Sequence, residues 1–482
     1  MSRRFARIAR IAHVHQAGRR HWPLALASAL ACAAGVALLS PASAQIAVRN
    51  QGYIPYDDAP IHYRSEDISD PVTQLQKKLD AGAARLDHDG GTHGYLKSVL
   101  EQLDIPVSSQ TLVFSKTSFQ YPHISPQHPR ALYFNDDVYI GVVNQGKEIE
   151  VISFDRTQGA IFFILHEQKA EKPRFERAEL DCTQCHIAAG TRGVPGVLLR
   201  SVQPTASGTL VTGARSFITD QDSPLAQRWG GWYVTGSLAG RTMANAVAGE
   251  DASAAGPGLQ PLPARSFDPS RYLAPGSEDV ALLVLGHQTQ AHNLITLTNY
   301  RTRIALHELG GDAALASPPA LEALPDEARE KIERPAEQLL RYLLFADEAP
   351  LPGLDGEQAI AASAFARDFA ARGPRDSRGR SLRDFDLHTR IFRYPLSYLV
   401  YSDAFDALPE PAKGHVYRRL LEILSGRDDS GEFDIVSAED KRAVLEILLE
   451  TKPGLPAQWQ EYAREHRLRI AAAPTPGPPA RL

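Results

Sequence analysis

Asp181-Cys182-Thr183-Gln184-Cys185-His186 is the stretch of this chain with the most specific chemistry. Two thiols three residues apart fall on one face of a helical turn, and His186 lies one turn beyond Cys182. A C-x-x-C-H spacing lets both sulfurs bond covalently to the two vinyl groups of one haem, and delivers the histidine to the iron as proximal ligand. Imidazole is a suitable iron donor at neutral pH. Three other readings compete: a redox-active dithiol, a zinc half-site, and coincidence. A zinc site wants a second pair of ligands, and the only other cysteine, Cys32, lies in the N-terminal leader. A thioredoxin-like pair belongs inside a β-α-β pattern and does not require the histidine. Covalent haem is the reading against which the rest of the chain is set.

Residues 1–44 read as an export signal peptide. Arg3, Arg4, Arg7, Arg10, Arg19 and Arg20 form a basic leader without an acid, an apolar run follows from Leu24 to Leu39, and Ala42-Ser43-Ala44 offers a cleavage site before Gln45. The run is shorter than the ~20 residues of a membrane span, so a membrane enters only through an uncleaved N-terminal anchor. The chain holds 52 basic and 57 acidic residues. Without the six leader arginines the balance is 46 to 57, a net charge of −11. That argues against nucleic acid or an anionic membrane surface as partner. Two cysteines without a disulfide framework, in an oxidising compartment, have another use. The expected location is the periplasm, and the expected partner is a redox protein that no motif identifies.

The fold class expected is α+β: an antiparallel β-sheet, then a cytochrome c-like haem segment, then a mostly helical C-terminal half. Residues 45–170 carry N-terminal helices at Pro71–Leu79 and Thr92–Leu103, then strands at Thr111–Lys116, Ala131–Phe134, Val138–Val143, Glu148–Phe154 and Ala160–Leu165. These predict a meander of four or five strands, with the apolar run Ile161–Leu165 buried on both faces. Asp87, His88, Asp89 and His93 read as a surface loop. Residues 171–248 are the haem-binding segment, and 249–267, rich in Ala, Gly and Pro, a linker or surface loop. Residues 268–470 predict a helical domain with helices at 279–308, 319–345, 359–372, 389–405, 411–425 and 437–450. Seven arginines between Arg372 and Arg393 interleave with Asp376, Asp384 and Asp386 as a salt-bridge network. The tail 471–482 reads as disordered.

Within the haem segment, Gly190 to Gly196 is similar to the loop that follows the motif in small class I c-type cytochromes. That resemblance implies that the Pro195 carbonyl accepts from the proximal imidazole. Arg228-Trp229-Gly230-Gly231-Trp232-Tyr233 lets backbone approach a flat cofactor, with Arg228, Trp229 and Trp232 as donors to the propionates; a buried aromatic strand pair is the competing reading. Met243 is the only methionine besides Met1, 57 residues after His186, and is the expected distal iron ligand. Its rival is His287, which shares a helical face with Val284, Ala291 and Leu294. His287 and His292 diverge by ~140° around that helix and so cannot both face one iron.

Asp104 to Lys116, the C-T-Q-C-H segment, Arg228 to Gly236, His292 to Tyr300 and Gly379 to Ser402 resemble a family of long bacterial monohaem cytochrome c-like proteins. The resemblance spans most of the chain beyond the leader and implies a periplasmic haem protein without naming a substrate. That family carries a histidine directly before the methionine, where this chain has Thr242. The expected function is that of an exported c-type cytochrome with one covalent haem c, acting in one-electron transfer, with no catalytic residue assigned. The alternative is a monohaem enzyme or small-ligand sensor, peroxidase-like, with an open or labile sixth iron position. A third reading makes the haem structural and the helical half a partner-binding module.

Overall fold

The run of β-branched and aromatic residues from Thr111 to His166 builds the sheet on which the molecule is organised. The structure is a computed structural model and describes residues 54–249, 258–263, 266–351 and 355–470. The expected export signal, 1–44, and the tail expected to be disordered, 471–482, lie outside them. Two helices come first, α1 (Pro71–Asp80) and α2 (Leu96–Gln102). Strands β1 (Thr111–Val113), β2 (Arg130–Phe134), β3 (Val138–Val143), β4 (Glu148–Asp155), β5 (Gly159–His166) and β6 (Phe175–Arg177) follow, and β9 (Trp232–Tyr233) joins the far edge. The sheet has seven antiparallel strands in the order β6-β5-β4-β3-β2-β1-β9, two more than the sequence predicts. Strands of three and two residues are too short to show an alternation.

Tight turns hold the register. Asn135 Oδ1 accepts from the N–H groups of Asp137 and Val138, and Asp155 Oδ1 from those of Thr157 and Gln158. The pairing aligns Leu132, Gly141, Glu150 and Ile164 in one row on one face. Phe162, Ile152 and Arg130 share that face, because strand side chains alternate. The opposite face packs beneath α1, where the Val72 N–H bonds Ser153 Oγ.

After the sheet come α3 (Glu179–His186), the pairs β7 (Arg200–Ser201) with β8 (Phe217–Ile218) and β10 (Ala246–Ala248) with β11 (Leu259–Pro261), and then helices. These are α4 (Asp279–Ala316), α5 (Asp326–Leu343), α6 (Gly356–Ala362), α7 (Ala364–Ala371), α8 (Asp403–Asp406), α9 (Glu410–Leu424), α10 (Ala438–Thr451) and α11 (Ala457–Glu465). The fold is therefore α+β with an antiparallel sheet and a helical C-terminal half. The described residues form one compact unit. Part of the expected linker, 259–261, is a strand. No helix among the described residues is long and apolar enough to cross a membrane.

The helix expected over 389–405 does not form. Asp386 Oδ1 accepts from the N–H groups of His388, Thr389 and Arg390, which turns the chain, and Pro395 removes a helical donor. Only a 3₁₀ turn at Tyr398–Tyr401 and the short α8 remain. The apolar residues there instead supply an aromatic cluster in which Phe392 lies against Phe385, Phe369 and Tyr398.

The arginine-rich stretch is an ion-pair network, largely with partners outside itself. Arg380 bonds Asp376 and Glu446, while Arg390 and Arg393 share Asp440. Arg383 reaches back to Asp136 in the β2–β3 turn, with its guanidinium 4.5 Å from the Phe369 ring centroid and 4.3 Å from that of Tyr398. Arg383→Ala leaves Asp136, a third exposed, to water but removes a guanidinium packed between two rings, so it is expected to cost about 3 kcal/mol, mostly in lost packing and cation–π contact. Asp136→Asn leaves the buried guanidinium an amide oxygen in place of the carboxylate and should cost about 1 kcal/mol. Urea-denaturation midpoints of the two variants check the order.

Candidate functional site

α3 ends on the motif histidine, and the chain behind it is folded to hold that ring. Ile187 N–H closes the last turn onto the Thr183 carbonyl. His186 Nδ1 lies 2.9 Å from the Gly196 carbonyl. A carbonyl only accepts, so Nδ1 carries the proton and Nε2 presents its lone pair. Nε2 has no hydrogen-bond partner among the described residues. Gly196 N–H returns a bond to the His186 carbonyl at 3.0 Å, and Thr191 Oγ1 donates to the same oxygen. The ring packs on Phe162 of β5, with centroids 5.1 Å apart. Burial holds the imidazole below its usual pKa, partly offset by the Gly196 carbonyl, and the charges of Arg130 and Glu150 also act on it. It is therefore neutral near pH 7. Cys182 is half-buried against the core, Cys185 is exposed, and neither is in a disulfide.

The acceptor of the imidazole proton is Gly196, one residue beyond the expected Pro195. The Pro195 carbonyl is taken by Ala160 N–H at 3.2 Å, which ties the loop to the start of β5. What aims the Gly196 carbonyl is a residue the sequence reading missed. Asn293, fully buried in α4, grips Val197 at both ends, with its Oδ1 accepting from the amide and its Nδ2 donating to the carbonyl. A Cβ on residue 196 would sit 2.0 Å from Asn293 Oδ1, so only glycine allows that approach. An asparagine among helical apolar residues carries no spacing signal.

The expected propionate donors are mostly committed elsewhere. Arg228 is buried; its Nε and Nη2 donate to the carbonyls of Ser223 and Gln221, which brace the loop, and burial lowers its pKa. Trp232 Nε1 donates to the Arg200 carbonyl. Both correct the expectation, because a buried polar loop claims its donors first. Trp229 is fully buried at a positive φ of 64°, and its Nε1 has no partner among the described residues.

Met243 is half-buried. Its N–H donates to the Arg228 carbonyl, and its sulfur accepts from Ser201 Oγ at 3.8 Å. Ser201 Oγ also accepts from Gly230 N–H, so Met243 sits beside the loop that leads into β9. His186 lies against β5, near the other edge of the sheet, and no hydrogen bond or ring contact joins the two.

His287 is fully buried with both nitrogens satisfied, Nδ1 by Gln221 Oε1 and Nε2 by Ser397 Oγ, and its ring stacks on Tyr342 and Phe345. Burial takes its pKa to about 3, so it is a neutral core histidine with no lone pair to spare. His292 points elsewhere, donating to the Asp136 carbonyl and stacking on Phe154. Among the described residues no three His, Cys, Asp or Glu side chains converge as metal ligands. No family model matches the chain, and no curated protein or solved structure matches it.

The clasp predicts a specific coupling. Asn293→Ala should cost about 2 kcal/mol through two lost backbone bonds, and Gly196→Ala a similar amount by overpacking. Together they should cost less than the sum, by on the order of 1 kcal/mol, because the truncated Asn293 leaves room for the new methyl group. Equilibrium unfolding of the two variants and the double variant measures the coupling, and strict additivity would sink it. His287→Ala should cost about 3 kcal/mol through lost packing and two stranded partners. The His186 ring resonances should not move in that variant.

Proposed function

We propose that this chain carries one haem c, held by Cys182 and Cys185, with His186 as proximal ligand, and that it acts in one-electron transfer from the periplasm. The observation that carries the reading is the His186 Nδ1 bond to Gly196, which fixes the tautomer and leaves Nε2 as a donor beside two thiols on one helical turn. A backbone carbonyl on the far nitrogen is the usual partner of a metal-binding histidine and raises its basicity. The residues therefore suit the group, which when bound supplies a reversible one-electron couple at iron.

The protein's share of the work is orientation and dielectric. Asn293 and Gly196 prevent the imidazole from rotating, Phe162 closes one side of it, and the half-buried Leu132 and Ile152 offer apolar surface on the same sheet face. Met243, the one thioether beyond Met1, is proposed as distal ligand, and Trp229 Nε1 as a donor without an acceptor of its own. Arg228 and Trp232 hold the loop that carries both. With its acidic balance the expected partner is a redox protein presenting basic surface.

A second reading, a monohaem enzyme or small-ligand sensor, is favoured by one observation. Met243 is bonded to Ser201 beside β9 while His186 lies on β5, so a haem held by His186 would have no thioether beside it in this arrangement.

Protein matured with the haem-attachment machinery should keep its haem through acid–acetone extraction. Cys182→Ala or Cys185→Ala should lose most of that retention, and complete loss from the wild type would end the haem reading. Met243→Ala should abolish the sulfur-to-iron charge-transfer band of the oxidised form and lower the potential, since a thioether favours ferrous iron. A wild-type protein that lacks the band and binds carbon monoxide quickly belongs to the second reading.

A further inference from the structure

The sheet face beneath His186 carries a charged pair that the fold does not need for pairing strands. Arg130 of β2 and Glu150 of β4 lie on the same face as Phe162, separated by β3, where Gly141 stands between them. The guanidinium lies flat on Gly141. A Cβ there would come 2.2 Å from Arg130 Nη2 and 2.8 Å from Nε, so a side chain at 141 would expel the arginine. Glu150 is satisfied several times over: Oε1 accepts from Ser118 Oγ at 2.6 Å and from Gln120 Nε2 at 2.9 Å, while Oε2 takes Arg130 Nη2. Arg130 is not. Of its nitrogens only Nη2 has a partner among the described residues, Nε is buried without one, and its side chain is 17% exposed. A guanidinium with donors unused, part-buried on this sheet face, suits a planar carboxylate.

We propose that Arg130 is the anchor for a haem propionate, with Glu150 as the counter-charge that holds the guanidinium in place. The inference rests on the haem reading given above. It also replaces the sequence expectation that Arg228 plays this part, since Arg228 spends its donors on two carbonyls. The pairing has a consequence for redox poise. A propionate fixed against Arg130 stays ionised across the neutral pH range, whereas one left part-buried without the guanidinium has its pKa raised and couples its protonation to the iron's charge.

The experiment is a redox titration over pH of the haem-loaded wild type and of Arg130→Gln, Glu150→Gln, the double Arg130→Gln/Glu150→Gln variant and Arg130→Lys, with the propionate bending band followed by resonance Raman. All variants should retain covalent haem. Arg130→Gln should lower the potential and steepen its pH dependence, and Glu150→Gln should raise it. The double variant removes both charges together, so it should keep the steeper pH dependence and the shifted Raman band. Arg130→Lys restores the charge without the fork and should recover the potential more than the band. A double variant that regains the wild-type profile would make Arg130 a counter-ion of Glu150 only and overturn the proposal. An Arg130→Gln curve superimposed on wild type would do the same. A wild type without covalent haem defeats instead the reading on which this one stands.

Discussion

Two hydrogen bonds from the Asn293 side chain to Val197 decide where the motif histidine points. They belong to a larger obligation. α4 crosses the middle of the protein and is buried on every side over residues 279–300, yet it is not uniformly apolar. Gln288, Gln290, His292, Asn293 and Asn299 are all buried, and each would be costly if left unpaired. Each finds a loop carbonyl: Asn135 and Asp136 in the β2–β3 turn, Gly190 and Val197 in the loop after α3, and Ala407 after α8. The loops have the complementary need, because buried backbone without secondary structure must also be satisfied. Helix and loops therefore solve one problem jointly. The loop after α3, held at Gly190 and Val197, is gripped twice.

This explains why the pattern of the sheet was legible and the site only partly so. Strand identity rests on alternation and on turn residues such as Asn135 and Asp155, and both are local. The continuous run Ile161–Leu165 predicts burial on both faces, and it is buried except at Ile164, which is half-buried. Helices with a clear period, at 410–424 and 438–451, fall within a residue or two of expectation. The failure at 389–405 has a physical cause. Ile391, Phe392, Leu396, Leu399 and Val400 imitate a helical stripe, but Asp386 and Pro395 decide the backbone before the stripe can act.

At the site, residue type was informative only where the chemistry is carried by side chains. Cys182, Cys185 and His186 announce themselves by spacing. The acceptor that fixes His186 is a backbone carbonyl, and any residue has one, so the resemblance that pointed to Pro195 missed its neighbour by one position. Arg228 and Trp232 illustrate the opposite error. Both are plausible partners of an anion by composition, and both are consumed by carbonyls in their own loop. Burial, which sequence does not display, determines whether a donor is available.

The helices around α4 answer the same constraint, because the loop behind the motif is positioned by a helix that must itself be enclosed. α5 packs along α4, Tyr342 stacking on His287 and Pro335 accepting from Thr298. α9 packs against α5 in turn, with His415 bonded to Glu337. The 397–398 turn reaches both histidine and glutamine of α4 through Ser397 and Tyr398. Each added layer leaves fewer of α4's polar side chains exposed to water, and so fewer alternative partners for Asn293. The helical half thus bears on the position of His186 through one buried amide. A partner-binding role for it would have to use its outer surface, since its inner one is committed to that amide and its neighbours.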